Sequence, residues 1–332
     1  MHISAVRRFL LHVCIFALLF ALLPLFALRS CNGHATDKQP PLHTNSSTNT
    51  SGEDYFTIYD EASAQTLVVP DSEFLYGAVV CEMPLTYCDE ALKAQAVAAY
   101  TVYDYKRAQR RANGTSGADF ICNTDAWYLY TTDVHMQTRW GNDYGTYRAR
   151  LTQILDGLSG VRLTYNSTRV LSTYYAISGG VTEASADIWG GALAYLVPVD
   201  SAWDANAADY VTNVTVSAEE FCHMLLQENP NCIFSTEKTE WIGAVQRTAS
   251  GTVQEITLGG QTFRGETVRL LFGLRSSNFT LTVQNNALHF SVRGYGHGVG
   301  MSQYGANCMA ASGADFATIL SHYYPGTTLF FP

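Results

Sequence analysis

LYGAVVCEMPLTYCDEALKAQAVAAYTVYDY, residues 75–105, decides how the rest of the chain is read. Ala91, Leu92, Gln95, Ala96, Ala99 and Tyr103 return at near-helical intervals, and Thr86 and Asp89 have the spacing of a capping box. A helix is therefore expected to begin near Asp89 and to run to about Arg111. The alanines at 91, 94, 96, 98 and 99 give it little bulk, so it can pack closely against its neighbours and hold its entry turn rigidly. Glu82 is expected in that entry turn. It follows Val79, Val80 and Cys81 and precedes Met83 and Pro84, apolar company that should desolvate the carboxyl and raise its pKa towards that of a general acid. On this stretch alone, a buried Glu paired with an Arg is the simpler account.

Towards the N-terminus, residues 9–28, FLLHVCIFALLFALLPLFAL, form an apolar run broken by His12 and Pro24 and long enough to cross a bilayer. Arg7 and Arg8 precede it, which predicts a cytoplasmic N-terminus and an exported remainder. A cleaved signal peptide would call for a shorter apolar core and an Ala-x-Ala-like site. The Leu28-Arg29-Ser30-Cys31 run has a lipoprotein look, but Arg29 sits just inside the expected cleavage point. Residues 1–30 are therefore read as a single-pass membrane anchor. Residues 31–53, rich in Ser, Thr and Asn with a Pro pair, read as a flexible linker, and their Asn-x-Ser/Thr sequons as compositional. Residues 54–332 are left, enough for one large domain or two closely joined ones.

The net charge of −9 disfavours nucleic acid and anionic lipid as partners, since both call for basic patches, and leaves a glycan open. Aromatic residues at 12% suit a well-filled core or a sugar-stacking surface. Of the cysteines, Cys14 falls in the anchor and Cys31 in the linker. Cys222 and Cys232 are a plausible local disulfide in an exported domain, with buried free thiols the other possibility.

Beyond the central helix, residues 112–117 form a breaker-rich loop, residues 119–131 have strand-like and aromatic content, and residues 151–158 suggest a short helix. Residues 160–165 and 169–175 read as a hairpin turning at Asn166-Ser167 and ending in Ser178-Gly179-Gly180, with Thr182 and Glu183 beyond it. Ser217 and Glu220 make a capping box for a helix over 217–227, and short strands at 241–245, 253–258 and 261–263 make a meander. Gly294, Gly296, Gly298 and Gly300 alternate with Tyr295, His297 and Val299, so one side is bare backbone that a chain segment or a sugar can approach. The spacing fits neither a phosphate loop nor a dinucleotide site. A helix from about Met301 and a last strand over 328–331 complete an α+β, mixed, strand-rich domain.

Four ordered stretches resemble the stage II sporulation protein D family: EMP with DEALKAQAVAAYT, YYAISGGVTE at 174–183, VRLLFGLRSSNF at 268–279, and GYGHGVGMSQYGA at 294–306 followed by ILSHYYPGTTL. The resemblance spans roughly residues 54–331. It implies a peptidoglycan lytic transglycosylase acting in septal wall remodelling during sporulation engulfment. In that reading the matching catalytic Glu is Glu82, which protonates the glycosidic oxygen between N-acetylmuramic acid and N-acetylglucosamine and then takes the proton of the muramyl 6-hydroxyl, leaving a 1,6-anhydro end. Lys93, Gln95, Ser178, Thr182, Glu183, His297 and Gln303 are the substrate-side candidates that go with it, and Glu90 is read as a companion to the helix dipole. His297 reads equally well as a structural histidine. The resemblance also implies peptide-stripped glycan strands as substrate, a cell-wall amidase and a membrane scaffold protein as partners, and no cofactor.

The chain departs from the family at Tyr100, where Arg is usual, at Tyr295, where Trp is commoner, and at Ala126-Trp127-Tyr128, where His-Cys-Gln follows a first Cys matched by Cys122. Without those ligands no structural zinc is expected there. Two alternatives come from other classes: a non-catalytic glycan-binding scaffold protein, and a zinc amidase or peptidase using His297 and His322, which lacks any H-E-x-x-H-like spacing.

Overall fold

A computed structural model describes residues 54–114 and 117–332. The expected anchor and linker lie outside the described residues. Among the described residues no helix is long and apolar enough to cross a membrane.

The chain begins with strands β1 (Tyr55–Asp60) and β2 (Gln65–Pro70), which pair antiparallel, and continues through helices α1 (Asp71–Glu82) and α2 (Asp89–Ala112) and strand β3 (Phe120–Cys122), which adds to β1 in parallel. Helices α3 (Asp133–Trp140) and α4 (Tyr144–Leu155) follow, then the short strands β4 (Arg162–Tyr165), β5 (Thr168–Arg169) and β6 (Tyr174–Tyr175) and helix α5 (Ser185–Trp189). Next come β7 (Val211–Ser217), α6 (Ala218–Glu228), β8 (Ile242–Arg247), β9 (Val253–Leu258), β10 (Gln261–Arg264), α7 (Gly265–Leu271), β11 (Phe279–Gln284) and β12 (Ala287–Arg293). The chain closes with β13 (Met301–Ser302), α8 (Gln303–Ala311), α9 (Phe316–Tyr323) and β14 (Thr328–Phe330). The class is mixed α+β and strand-rich.

Two apolar clusters organise these elements. One gathers the N-terminal elements and the C-terminal α8 and α9 around α2; the other lies within residues 211–293. In the second, the sheets β11-β12-β7 and β10-β9-β8 enclose Phe221, which stacks on Phe272 with ring centroids 5.1 Å apart. The Ser217 hydroxyl caps α6 by accepting the Glu220 N–H, and the three-strand meander forms, both as the spacing predicts.

Helix α2 is buried on nearly every side from Ala91 to Asp104, because alanines on most faces let α1, α4, α8 and α9 approach its backbone. Its acids Asp89 and Glu90 sit in the first turn and Arg110 and Arg111 in the last, complementing the dipole. The expected capping box is absent: the N-cap is Cys88, and no side chain caps the helix. Glu82 is not in an entry turn either. It ends a helix of its own, α1, which stops because Pro84 forces Met83 into an extended conformation.

Tyr100 takes part in a buried polar network. The buried Arg107 donates to Asp71 at 2.7 Å, to Asp104 at 2.9 Å and to the Tyr100 hydroxyl at 3.1 Å, while Tyr100 donates to Asp71. The hairpin turns at Asn166 and Ser167, both left-handed, and pairs β4 with β5; β6 leaves it to pair in parallel with β13.

That parallel pair joins two of the family-like stretches. Tyr295 exchanges backbone hydrogen bonds with Ile177, the Glu183 N–H donates to the Gly298 carbonyl at 2.7 Å, and the Met301 N–H donates to the Thr173 carbonyl at 3.1 Å. The bare side of the glycine run is thus occupied by residues 173–183. All four of its glycines have positive φ.

Candidate active site

Glu82 leaves the last turn of α1 with its carboxyl set among aromatic side chains. Tyr174, the first residue of β6, hydrogen-bonds it, and Lys106, well along α2, brings a positive charge. Tyr103 and Tyr128, both buried, and Tyr174 are each perturbed by the charge of Glu82, which places the four groups in one neighbourhood. The Lys106 ammonium lies 4.9 Å from the centroid of the Tyr103 ring. As a whole residue Glu82 keeps partial solvent access although its carboxyl is crowded by protein.

Burial is the largest influence on the Glu82 carboxyl and raises it to about 7, against the Tyr174 hydrogen bond and the Lys106 charge, which pull it down. Its position at a helix C-terminus, where the dipole is negative, acts in the raising direction. Burial likewise depresses the Lys106 ammonium to about 8, with Glu82 opposing. Near neutrality the carboxyl is therefore poised to give and to take a proton beside a mostly protonated amine. The groups acting on its charge are a phenol and an ammonium rather than a second carboxylate.

The other sequence-named residues fall into three groups. Gln95 and Gln303, both buried, meet directly: Gln303 Nε2 donates to Gln95 Oε1 at 3.2 Å, and Gln95 Nε2 has no partner. Lys93 pairs with Glu90 at 2.7 Å, and the other Glu90 oxygen accepts the Phe316 N–H, so this pair ties α2 to the start of α9. Ser178, Thr182, Glu183 and His297 cluster around β6. The Ser178 N–H donates to Asp204 Oδ1 at 2.7 Å, and the Thr182 hydroxyl spans the Val197 carbonyl and the Val199 N–H. Glu183 accepts from Thr248 at 2.9 Å through Oε1 and has no partner at Oε2. Burial raises its carboxyl.

His297 is linked to Glu82 through one strand. Its Nδ1 accepts the Val299 N–H at 3.1 Å, and a hydrogen bond joins its ring to the Tyr174 backbone, the residue whose hydroxyl reaches Glu82. Burial, helped by the Arg269 charge, pushes the imidazole down to about 3, so it is neutral and braces β6. Tyr174 and Tyr175 face opposite sides of that strand, as neighbours in a strand do. Tyr174 meets Glu82; Tyr175, Glu183, Asp187, Asn278 and His297 line a cavity of about 340 Å³ whose wall does not include Glu82.

Lys106, Tyr103, Tyr128 and Tyr174 are not among the site residues named from the sequence, although Tyr103 marks the helical period, Tyr128 falls in a departure from the family pattern and Tyr174 opens a family-like stretch. Lys106 and Tyr103 lie on the same predicted helix, three residues apart, and that spacing is the one signal available for them. Tyr128 arrives through a loop in which Trp127 and Leu129 take left-handed conformations. Asp204 was also missed; fully buried, it accepts from Ser178, Ser201 and Ser302 and fastens the β6–β13 pair. His322 contacts the Asp200 carbonyl and Trp203, apart from His297, and among the described residues no three His, Cys, Asp or Glu side chains converge as metal ligands.

A family model described as "Stage II sporulation protein" matches residues 59–165. Stage II sporulation protein D of Bacillus subtilis (strain 168) is 31% identical over 273 residues, covering 82% of this chain and 78% of that protein. The protein of the same name from Bacillus amyloliquefaciens is 30% identical over 273 residues, covering 82% and 77%. The chain belongs to the stage II sporulation protein D family. A protein named "Amidase enhancer" from Bacillus subtilis (strain 168) is 26% identical, with 77% of this chain and 40% of that protein covered. The family model ends with β4, so Glu82, Lys106 and Tyr128 lie within it, while Tyr174 and His297 lie beyond it.

Proposed function

We propose that this family member is a peptidoglycan lytic transglycosylase in which Glu82 is both the acid and the base. The supporting observation is a single buried carboxyl raised to about 7 and flanked by Tyr174 and Lys106. Glycosidases that hydrolyse their substrate generally set two carboxyl groups about 5–9.5 Å apart. A transglycosylase that uses the sugar's own hydroxyl needs one. Glu82 donates its proton to the glycosidic oxygen as the bond to the muramyl C1 breaks. The resulting carboxylate then takes the proton of the muramyl 6-hydroxyl as that oxygen bonds to C1, so the acid is regenerated and the product is a 1,6-anhydro sugar. Lys106 offsets the negative charge present between the two transfers, Tyr174 orients the carboxyl, and the tyrosines around it limit competing water.

The same reading extends to setting. The apolar run over residues 9–28 anchors the protein by a single span in the cell membrane, with residues 54–332 outside the cytoplasm, where glycan strands already stripped of stem peptides are the substrate. A cell-wall amidase that removes those peptides and a membrane scaffold protein are the partners it implies, with engulfment during sporulation as the setting. Mass spectrometry of products from the full chain and peptide-stripped strands tests the reaction. Anhydro-muramyl ends support it; released stem peptides overturn it, and strands bound yet uncleaved favour the glycan-binding scaffold.

The acid limb of this mechanism has a sign. The proton-donating form of Glu82 is lost as pH rises through about 7, so kcat/KM is expected to fall above that point. In Lys106→Met the cation that favours the carboxylate is gone, the Glu82 pKa rises, and the fall is expected roughly 1 pH unit higher. A pH–rate profile of both proteins checks this, with Lys106→Arg expected to keep the wild-type position.

A further inference from the structure

Cys88 stands immediately before α2, and Cys308 lies in α8. The Cys88 N–H donates to Asn307 Oδ1 at 2.8 Å. The rings of Tyr87 and Tyr304 meet edge-on with centroids 6.5 Å apart. Tyr304 and Cys308 are one turn apart on α8 and share a face that Asn307 borders. Two successive residues of the loop leaving Glu82 therefore rest on the helix face that carries Cys308. Cys88 is also one of the groups that raise the Cys308 thiol, after burial and Asp204.

Access separates this pair from the other neighbouring cysteines. Cys88 and Cys308 are both partly exposed. Cys81 has the buried Cys122 beside it, and Cys222 has the buried Cys232, whose Sγ lies 3.9 Å from the carbonyls of Leu225 and Leu258. All six thiols of the described residues are free in this structure, including Cys222 and Cys232, for which the sequence left a bridge and free thiols both open. Oxidation follows thiolate character and access; burial raises the Cys308 thiol, so access is what sets this pair apart.

We propose that Cys88 and Cys308 form a redox-responsive pair that closes a disulfide between the loop leaving Glu82 and helix α8. The oxidant is a small-molecule or enzyme disulfide such as glutathione disulfide. One cysteine, as thiolate, displaces a glutathione thiolate and forms a mixed disulfide; the second displaces the other. Two protein S–H bonds become one S–S bond, and the two protons and two electrons leave with two molecules of glutathione. The bridge fastens the segment next to Glu82 to the helix whose Gln303 holds Gln95.

The test incubates the full chain in detergent micelles across a series of reduced-to-oxidised glutathione ratios, blocks remaining thiols by alkylation and maps the peptides. The expected result is a Cys88–Cys308 linked peptide as the first disulfide to appear, with Tm rising by roughly 5–10 °C over the reduced protein. That rise is absent in Cys308→Ser and Cys88→Ser, which melt with the reduced wild type. Cys88 and Cys308 remaining open to alkylation at every ratio, or linking first to other cysteines, overturns the proposal. Neither result depends on glycan cleavage, so this pair and the proposed reaction fail separately.

Discussion

Glutamine in place of Glu82 is expected to lower glycan cleavage by about 10²–10⁴-fold, the range a positioned general acid contributes. The amide keeps the shape of the carboxyl and a partner for Tyr174, but it can neither donate the proton nor take one back. Stability should move the other way. The folded carboxyl titrates near 7 against an ordinary 4.5, so the wild type is burdened by ionising a buried group as pH rises from about 4.5 through 7. The value of about 7 already includes the support of Lys106. Glu82→Gln should therefore melt with the wild type near pH 4 and at or above it near pH 8, which thermal melts at the two pH values would show. An inactive variant that melts well below the wild type at pH 8 would mean that Glu82 holds the fold together, as a paired structural carboxylate does.

Alanine in place of Gly300 is expected to be among the most damaging single changes. Its Cβ would lie 2.0 Å from the Thr173 carbonyl oxygen and 3.1 Å from the Thr173 hydroxyl, with φ at +84°. The left-handed conformation alone costs a residue with a Cβ about 1–2 kcal/mol, and the contact with backbone cannot be relieved by turning a side chain. A loss of about 3 kcal/mol, or roughly 5 °C in Tm for a domain of this size, follows. Activity should fall as well, because the same close approach holds β13 against β6 and so sets Tyr174 on Glu82. Gly145→Ala is the matched control. That glycine lies in α4 with ordinary φ and open space around its Cβ position, so alanine there should add about 0.5–1 kcal/mol of stability.

The parts of the fold that the sequence discloses are those set by local chemistry. The alanine periodicity marks α2, Asn166-Ser167 marks the hairpin turn, and Ser217 with Glu220 marks the start of α6. Glu82 stands out because its immediate neighbours are apolar, and the structure agrees that burial dominates its carboxyl. Its placement was misread: the small apolar residues before it form a helix, and the stop at Pro84 was the readable sign. The companions of Glu82 were harder to find. Tyr174 reaches it from a two-residue strand whose partner is Met301–Ser302, a parallel pairing across a long connection that no local pattern announces. Lys106 looks like a solvated helix residue until its burial beside the Tyr103 ring and Glu82 is known. His297 drew attention as a titratable group in a glycine run, yet its neighbours keep it neutral and occupied with backbone. Periodicity shows which residues are buried; which buried residues meet depends on contacts far apart in sequence.

The most direct test of the central claim, one carboxyl acting as acid and then as base on the sugar's own hydroxyl, is cleavage of peptide-stripped glycan strands in ¹⁸O-labelled water, followed by mass spectrometry of the new ends. The mechanism predicts 1,6-anhydro-muramyl ends free of ¹⁸O, formed by the wild type and not by Glu82→Gln. Reducing muramyl ends carrying ¹⁸O would contradict it, since water rather than the 6-hydroxyl would then be the nucleophile.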